Sequence, residues 1–224
     1  MDKMAVIVIP IYKSILNKYE ILSLKQCLKV LHKYPVTFVC SKELDTSSYK
    51  KYCNKTLNIS FEYFDSVYFK NIKGYNKLLL SANFYNRFNN YEYLLIYQLD
   101  AWVFRDELTK WIEFGYDNYG GPWLSLETNK TEKYSGNGGF CLRNVQSSLA
   151  TLGARKVLFT PYIIWLIYKD LPLTYIRKSK SLFLKLLWPV FYKTNSFISF
   201  FADTMNEDKF WAKFAPYINK KFRP

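Results

Sequence analysis

Short apolar runs alternate along the chain with stretches whose apolar residues recur every three or four positions. The runs AVIVIPIY, VTFVC and ISFEYFD are typical of strands, because they are short and rich in β-branched and aromatic residues. Helical spacing relates Leu24, Cys27, Leu28 and Leu31 between the first two runs, and a second short helix precedes the third. This βαβαβ order predicts an α/β domain with a mainly parallel sheet flanked by helices, which binds ligands at the carboxyl ends of its strands.

The pattern continues with a predicted helix over residues 75–88, a long strand over residues 91–104 (YEYLLIYQLDAWVF) and a short helix over residues 107–114. Asp100 would lie inside that apolar strand, with Gln98 two positions away on the same face. Burying an unpaired carboxylate costs several kcal/mol, so QLD predicts a site for a hard divalent cation. The alternative is a buried Asp satisfied by backbone N–H groups or by a Lys or Arg.

Two glycine clusters follow, in YDNYGGPWLS and KYSGNGGFCLRN, and they hold five of the eight glycines. They are Gly120, Gly121, Gly136, Gly138 and Gly139. Glycine permits positive φ or lets a ligand approach the backbone closely, so the clusters predict a pocket wall. The alternative at Asn137-Gly138 is an ordinary hairpin turn.

An acidic pair, Glu207 and Asp208, opens a predicted helix in DTMNEDKFW. Its simplest interpretation is structural, because Thr204 and Glu207 have the spacing of a capping box. The single histidine, His32, lies at a predicted helix end, so a carboxylate is the main candidate for any general base.

Composition narrows the class of protein. With 224 residues, 50% apolar and 20% aromatic, the chain is predicted to form one domain over residues 1–224 and not a disordered protein. Neither common phosphate-binding loop motif is present. Residues 155–202 hold eight basic residues and one acidic residue, so they carry seven of the 14 net positive charges, among many aromatic residues. That mixture suits an anionic membrane surface or single-stranded nucleic acid.

Taken in order, IPIY, YLLIYQLDAWVF, GYDNYGGPW, GNGGFCLRN and NEDKFW resemble a family of uncharacterised glycosyltransferase-like domains of bacterial surface-polysaccharide enzymes. The resemblance covers most of the chain. It implies a glycosyltransferase A type, Rossmann-like fold, with a nucleotide-binding half at residues 1–104 and an acceptor half at residues 105–224. The aromatic and basic residues 155–205 would be an insertion in the second half. Gln98 stands where the family's D-x-D motif has its first acid.

The resemblance also implies an inverting transfer of a sugar from a nucleotide-sugar donor to a glycan or lipid-linked oligosaccharide. Asp100 would ligate Mn2+ or Mg2+, and Asp208, with Glu207 as the alternative, would be the general base. The donor site would be formed by Pro10, Tyr12, Gln98, Asp100, Asn137, Gly138 and Gly139.

Two other functions stay open at this point. One is a non-catalytic domain of the same fold that binds a glycan or docks on a membrane. The other, the less favoured, is a single-strand nucleic-acid binder, which would need neither Asp100 nor the acidic pair. We expect a cytoplasmic protein because the four cysteines show no disulfide-like spacing, with docking on the inner face of the cytoplasmic membrane if the acceptor is lipid-linked.

Overall fold

The structure is a computed structural model, and it describes residues 3–53, 58–124, 131–153 and 206–224 of the chain. The predicted insertion at residues 155–205 and Thr204 lie outside the described residues. So does the basic, aromatic stretch that motivates the membrane and nucleic-acid hypotheses. Every helix in the described part of the chain is too short or too polar to cross a lipid bilayer.

Strands and helices alternate through most of the described chain. In order, the elements are β1 (Lys3–Pro10), α1 (Lys18–Val30), β2 (Val36–Ser41), α2 (Ser47–Cys53), β3 (Ile59–Phe64), a 3-10 turn (Ser66–Phe69), α3 (Ile72–Leu79), α4 (Ala82–Asn86), β4 (Tyr91–Tyr97), α5 (Leu108–Glu113), β5 (Asn118–Leu124), β6 (Thr131–Asn144), α6 (Val145–Gly153), α7 (Glu207–Lys209), a π-helical turn (Phe210–Phe214) and α8 (Ala215–Ile218). The last three are continuous and are called here the C-terminal helical segment.

The six strands form one sheet in the order β3-β2-β1-β4-β6-β5. The first four are parallel, whereas β6 runs antiparallel to both of its neighbours. The predicted Rossmann-like, mixed and mainly parallel sheet flanked by helices is therefore confirmed. The chain leaves β1 toward β2 on one side and returns as β4 on the other, so the strand order reverses between β1 and β4. In α/β sheets, a crevice for ligands opens at this switch point.

The alternation of side chains along the central strands builds a core on each face of the sheet. Val6 and Val8 of β1 pack in one cluster with α3, α4 and the C-terminal helical segment. Ile7 and Ile9 pack in the other, beneath α1, α2 and α5. Because both faces of the sheet are covered, the sequences of these strands are continuous apolar runs.

Three local expectations are wrong. The strand predicted to reach residue 104 ends at Tyr97, where the Ala101 N–H donates to the Gln98 carbonyl oxygen at 2.9 Å and turns the chain out of the sheet. The helix predicted over residues 75–88 is two helices, α3 and α4, because Ser81 caps the second through the Asn83 N–H. The hairpin alternative at Asn137-Gly138 also fails, since β6 runs through both residues.

Candidate active site at the carboxyl ends of β1 and β4

A cavity of about 470 Å³ opens at the switch point between β1 and β4. Its volume lies in the range of small-molecule and cofactor sites. Its wall is formed by the loops after β1 and β4, by the end of the 3-10 turn with the residues that follow it, and by the first turns of α1, α2 and α3. The lining residues are Pro10 to Lys13, Glu20, Tyr49, Tyr68 to Ile72, Tyr75 and Gln98 to Asp100.

The β1 side of the cavity is fixed by the start of α1. Asn17 and Glu20 form a capping box, in which each side chain accepts a backbone N–H of the other's residue. Glu20 also pairs with Lys13 at 2.7 Å, and the Tyr49 hydroxyl donates to the Lys13 carbonyl oxygen at 2.7 Å. The loop is therefore held at several points, whereas the Tyr12 ring stays 69% exposed at the mouth of the cavity.

Asp100 lies in the turn after β4 and is exposed, so the premise that it is a buried carboxylate inside a strand is wrong. The shared strand face of Gln98 and Asp100 is wrong for the same reason, because the strand has ended. Both residues nevertheless line the cavity. Gln98 is anchored there, since its backbone N–H donates to the Gly139 carbonyl oxygen at 2.8 Å and its amide donates to the Tyr75 hydroxyl at 3.3 Å.

The second glycine cluster packs directly against Gln98. The Gly139 N–H donates to Asn137 Oδ1 at 3.0 Å, and a Cβ atom at Gly139 would lie 3.1 Å from Gln98 Oε1. The first cluster packs against it in turn, because a Cβ atom at Gly120 would lie 2.5 Å from the Gly136 backbone. The glycines of the second cluster thus permit close packing against Gln98 and against the first cluster. None of the five glycines lines this cavity, so the pocket wall stays a prediction.

Glu207 is buried against the stretch of β6 that carries Gly136, Gly138 and Gly139, called here the glycine strand. Its carboxylate lies 2.7 Å from Arg143 Nη2, and neither side chain is more than 4% exposed. Arg143 also donates to the Tyr85 hydroxyl at 3.1 Å and to Asn118 Oδ1 at 3.3 Å. Burial raises the pKa of Glu207 to about 7, although the Arg143 charge opposes that shift. The side chain is therefore held as part of a buried polar network.

Asp208 is only partly buried. Its Cβ would lie 3.3 Å from a Cβ atom at Gly138, and its Oδ1 accepts the Lys209 N–H at 2.7 Å. Asn206, and not Thr204, occupies the cap position of α7, and it makes no side-chain capping bond, so the capping-box interpretation of this helix is wrong. The Glu207 N–H instead donates to Asn76 Oδ1 of α3 at 3.3 Å.

The predicted site residues fall into two adjoining groups. Pro10, Tyr12, Gln98 and Asp100 line the cavity, whereas Asn137, Gly138, Gly139, Glu207 and Asp208 lie behind Gln98 and outside the lining. Sequence reasoning missed Tyr75, Asn76 and Arg143, which link the groups. Arg143 had one signal, a charge within an otherwise apolar stretch of strand.

Few side chains in the described part of the chain are placed to ligate a metal ion. Within the described ranges, no three His, Cys, Asp or Glu residues come together as a metal cluster. A magnesium-like ion can be bound by one or two carboxylates when the phosphates of a substrate and water complete its shell. The exposed carboxylate of Asp100 at the cavity fits a site of that kind.

Comparison with known proteins places the chain in a family. The crystal structure of 4-diphosphocytidyl-2C-methyl-D-erythritol synthase from Anaerococcus prevotii DSM 20548 is similar, with 12% identity over 67% of this chain and 74% of that chain and a TM-score of 0.41. At that identity and TM-score the likeness says nothing about activity. No curated protein matches the chain. A family model described as "Protein of unknown function (DUF5672)" matches residues 58–224. The chain therefore belongs to the DUF5672 family.

Proposed function

We propose that this protein is an inverting glycosyltransferase that moves a sugar from a nucleotide-sugar donor to a glycan or lipid-linked acceptor. One observation supports the proposal most strongly. A cavity of cofactor size lies at the switch point, and Gln98 in its wall packs against the glycine strand at Gly139. The acidic pair of α7, Glu207 and Asp208, packs against the same strand at Gly138.

The cavity has the groups that a nucleoside diphosphate needs. Tyr12 is an exposed aromatic ring on which a base can stack, and Tyr68 and Phe69 line the same space. Lys70 lines it as well and supplies positive charge for the diphosphate, and Lys13, which is paired with Glu20, would have to exchange that partner for a phosphate to contribute. A Mn2+ or Mg2+ ion on Asp100, when bound, would neutralise charge on the leaving diphosphate.

Asp208 suits the general base better than Glu207. A base must reach the substrate, and Glu207 is 3% exposed and paired with Arg143. In the proposed step, an acceptor hydroxyl oxygen bonds to the anomeric carbon while the bond from that carbon to the diphosphate oxygen breaks. Asp208 takes the hydroxyl proton, for which its Oδ2 is the candidate atom, and Glu207 with Arg143 holds the start of the helix in place.

The test is calorimetric titration with UDP, GDP, CDP and dTDP, each with and without Mn2+, followed by hydrolysis assays with the matching nucleotide sugars. We expect one nucleoside diphosphate to bind and its binding to tighten with Mn2+. Asp100→Asn should remove the Mn2+ effect without changing the melting temperature, because the side chain is exposed. Failure of all four nucleotides to bind would overturn the proposal, and binding without turnover of any donor would favour a non-catalytic domain.

A further inference from the structure

A second and larger concave surface, of about 880 Å³, lies between α5 and the strands β5 and β6. We call it the aromatic groove. Its floor is formed by buried aliphatic side chains, among them Leu95, Leu108 and Leu142. Six aromatic residues on its wall are each between 39% and 83% exposed. They are Trp102, Phe104, Trp111, Phe114, Tyr116 and Phe140.

So many exposed rings around one depression are unusual for a surface that contacts only water. Exposed apolar patches on soluble domains mark binding sites, and isolated apolar residues do not. Trp111 packs edge-on against Phe114 and Tyr119, with ring centroids 5.8 and 5.6 Å apart. These contacts hold the rings of Trp111 and Phe114 in place, so this part of the groove is formed before any ligand binds.

The aromatic groove shares a wall with the cavity at the switch point. Gln98, Leu99 and Asp100 line the cavity, whereas Trp102, Val103 and Phe104 of the same loop line the groove. The groove also reaches the glycine strand, since a Cβ atom at Gly121 would lie 3.8 Å from Asn137 Cβ. A ligand in the groove would therefore end beside the residues that we assign to the donor.

The geometry points to a glycan, the acceptor of the proposed transfer, as the ligand of the aromatic groove. This inference rests on the proposed function. A sugar ring has an apolar C–H face that packs on an aromatic ring and a rim of hydroxyls that needs polar partners or water. Arg105 and Glu107, which pair at 3.2 Å, supply such partners at the groove. Because the rings stay largely open to water, the groove suits hydroxyl-bearing sugars better than an acyl chain.

The probe is an array of bacterial surface oligosaccharides, followed by calorimetry with the oligosaccharide that gives the strongest signal. We expect binding to weaken by about tenfold or more in Trp111→Ala and in Phe104→Ala. Tyr19→Ala is the matched control, because Tyr19 is 68% exposed on α1, away from the groove. It should bind as the unaltered protein does.

Further measurements separate this inference from the proposed function. The groove variants should bind the nucleoside diphosphate as tightly as the unaltered protein does. If a nucleotide binds but no oligosaccharide does, or if oligosaccharide binding survives both groove variants, the groove inference is overturned and the donor site stands. If oligosaccharides bind through the groove but no nucleotide binds, the proposed function fails instead. Binding of vesicles of neutral phosphatidylcholine, or dimerisation in ultracentrifugation, that is lost in Trp111→Ala would also overturn the glycan assignment.

Discussion

Replacing Gly138 with alanine perturbs the point where the glycine strand meets the acidic pair. The added Cβ would lie within 3.0 Å of Glu207 Oε1, closer than Cβ atoms come in real proteins, and 3.3 Å from Asp208 Cβ. Glu207 cannot swing into solvent, because it is 3% exposed and lies 2.7 Å from Arg143. Ordinary contact begins at 3.4 Å, so either the carboxylate or the backbone must move by about 1 Å.

The size of the effect follows from this displacement. Overpacking a buried site costs roughly 1–3 kcal/mol, and each kcal/mol lowers the melting temperature of a protein this long by about 2–4 °C. Asp208 is the next residue along the helix and would move with Glu207. Misplacement of a catalytic group on the scale of 1 Å can cost on the order of 100-fold in rate, so donor turnover should fall more than stability does.

The assay is a thermal melt together with the rate of donor hydrolysis. Gly153→Ala is the matched control, because within the described part of the chain its added Cβ meets nothing within 4 Å beyond its own helix and chain neighbours. Gly153 closes α6, and alanine there should leave the melting temperature unchanged or raise it, with turnover intact. A Gly138→Ala protein that melts and turns over like Gly153→Ala would refute the close packing of Gly138 against Glu207.

Three further predictions concern single side chains. Gln98→Asp should tighten Mn2+-dependent binding of the nucleoside diphosphate, because it adds a second carboxylate to the cavity that Asp100 lines; unchanged affinity by calorimetry would argue against a metal there. Asp208→Asn should lower transfer by about 100-fold or more with little change in melting temperature, and a product that keeps the donor's anomeric configuration would contradict single displacement. Because the pKa of Glu207 is raised from 4.5 to about 7 by burial, the folded protein holds a proton that the unfolded chain has lost between those values. This tighter binding of the proton in the folded state contributes roughly 3 kcal/mol to the free energy of unfolding. The contribution is complete below pH 4.5 and is lost as pH rises through 7. Urea titrations of Glu207→Gln should not show this loss of stability with rising pH.

The sheet could be predicted because each central strand is buried on both faces and is therefore apolar throughout. For the same reason the residue at which β4 ends could not be predicted from the sequence. Leu99 and Val103 beyond it are buried as the strand residues are, whereas Trp102 and Phe104 are exposed, and nothing in the letters LDAWVF separates the two pairs. The turn at Gln98 is set by a backbone hydrogen bond, for which the sequence carries no marker.

In the candidate site, too, some residues could be predicted from the sequence and others could not. Its glycines and acids were found because unusual residue types cluster along the sequence. The network around Arg143 was not found, because its partners Tyr85 and Glu207 come from separate elements that only the folded sheet brings together. Residue-type patterns report what one segment can do, and a buried network between segments leaves no such local pattern.

The buried pair of Arg143 and Glu207 contributes little net free energy to stability, because both charges lose their hydration. Burial raises the pKa of Glu207 even though Arg143 lies 2.7 Å away, so desolvation outweighs the attraction between the two charges. Apolar side chains of similar volume could fill such a space without that penalty. They could not direct one helix end toward one strand, as the guanidinium does by bonding Tyr85, Asn118 and the carboxylate at once. What the pair supplies is therefore position: it sets the first turn of the C-terminal helical segment against Gly138, and with it the place of Asp208.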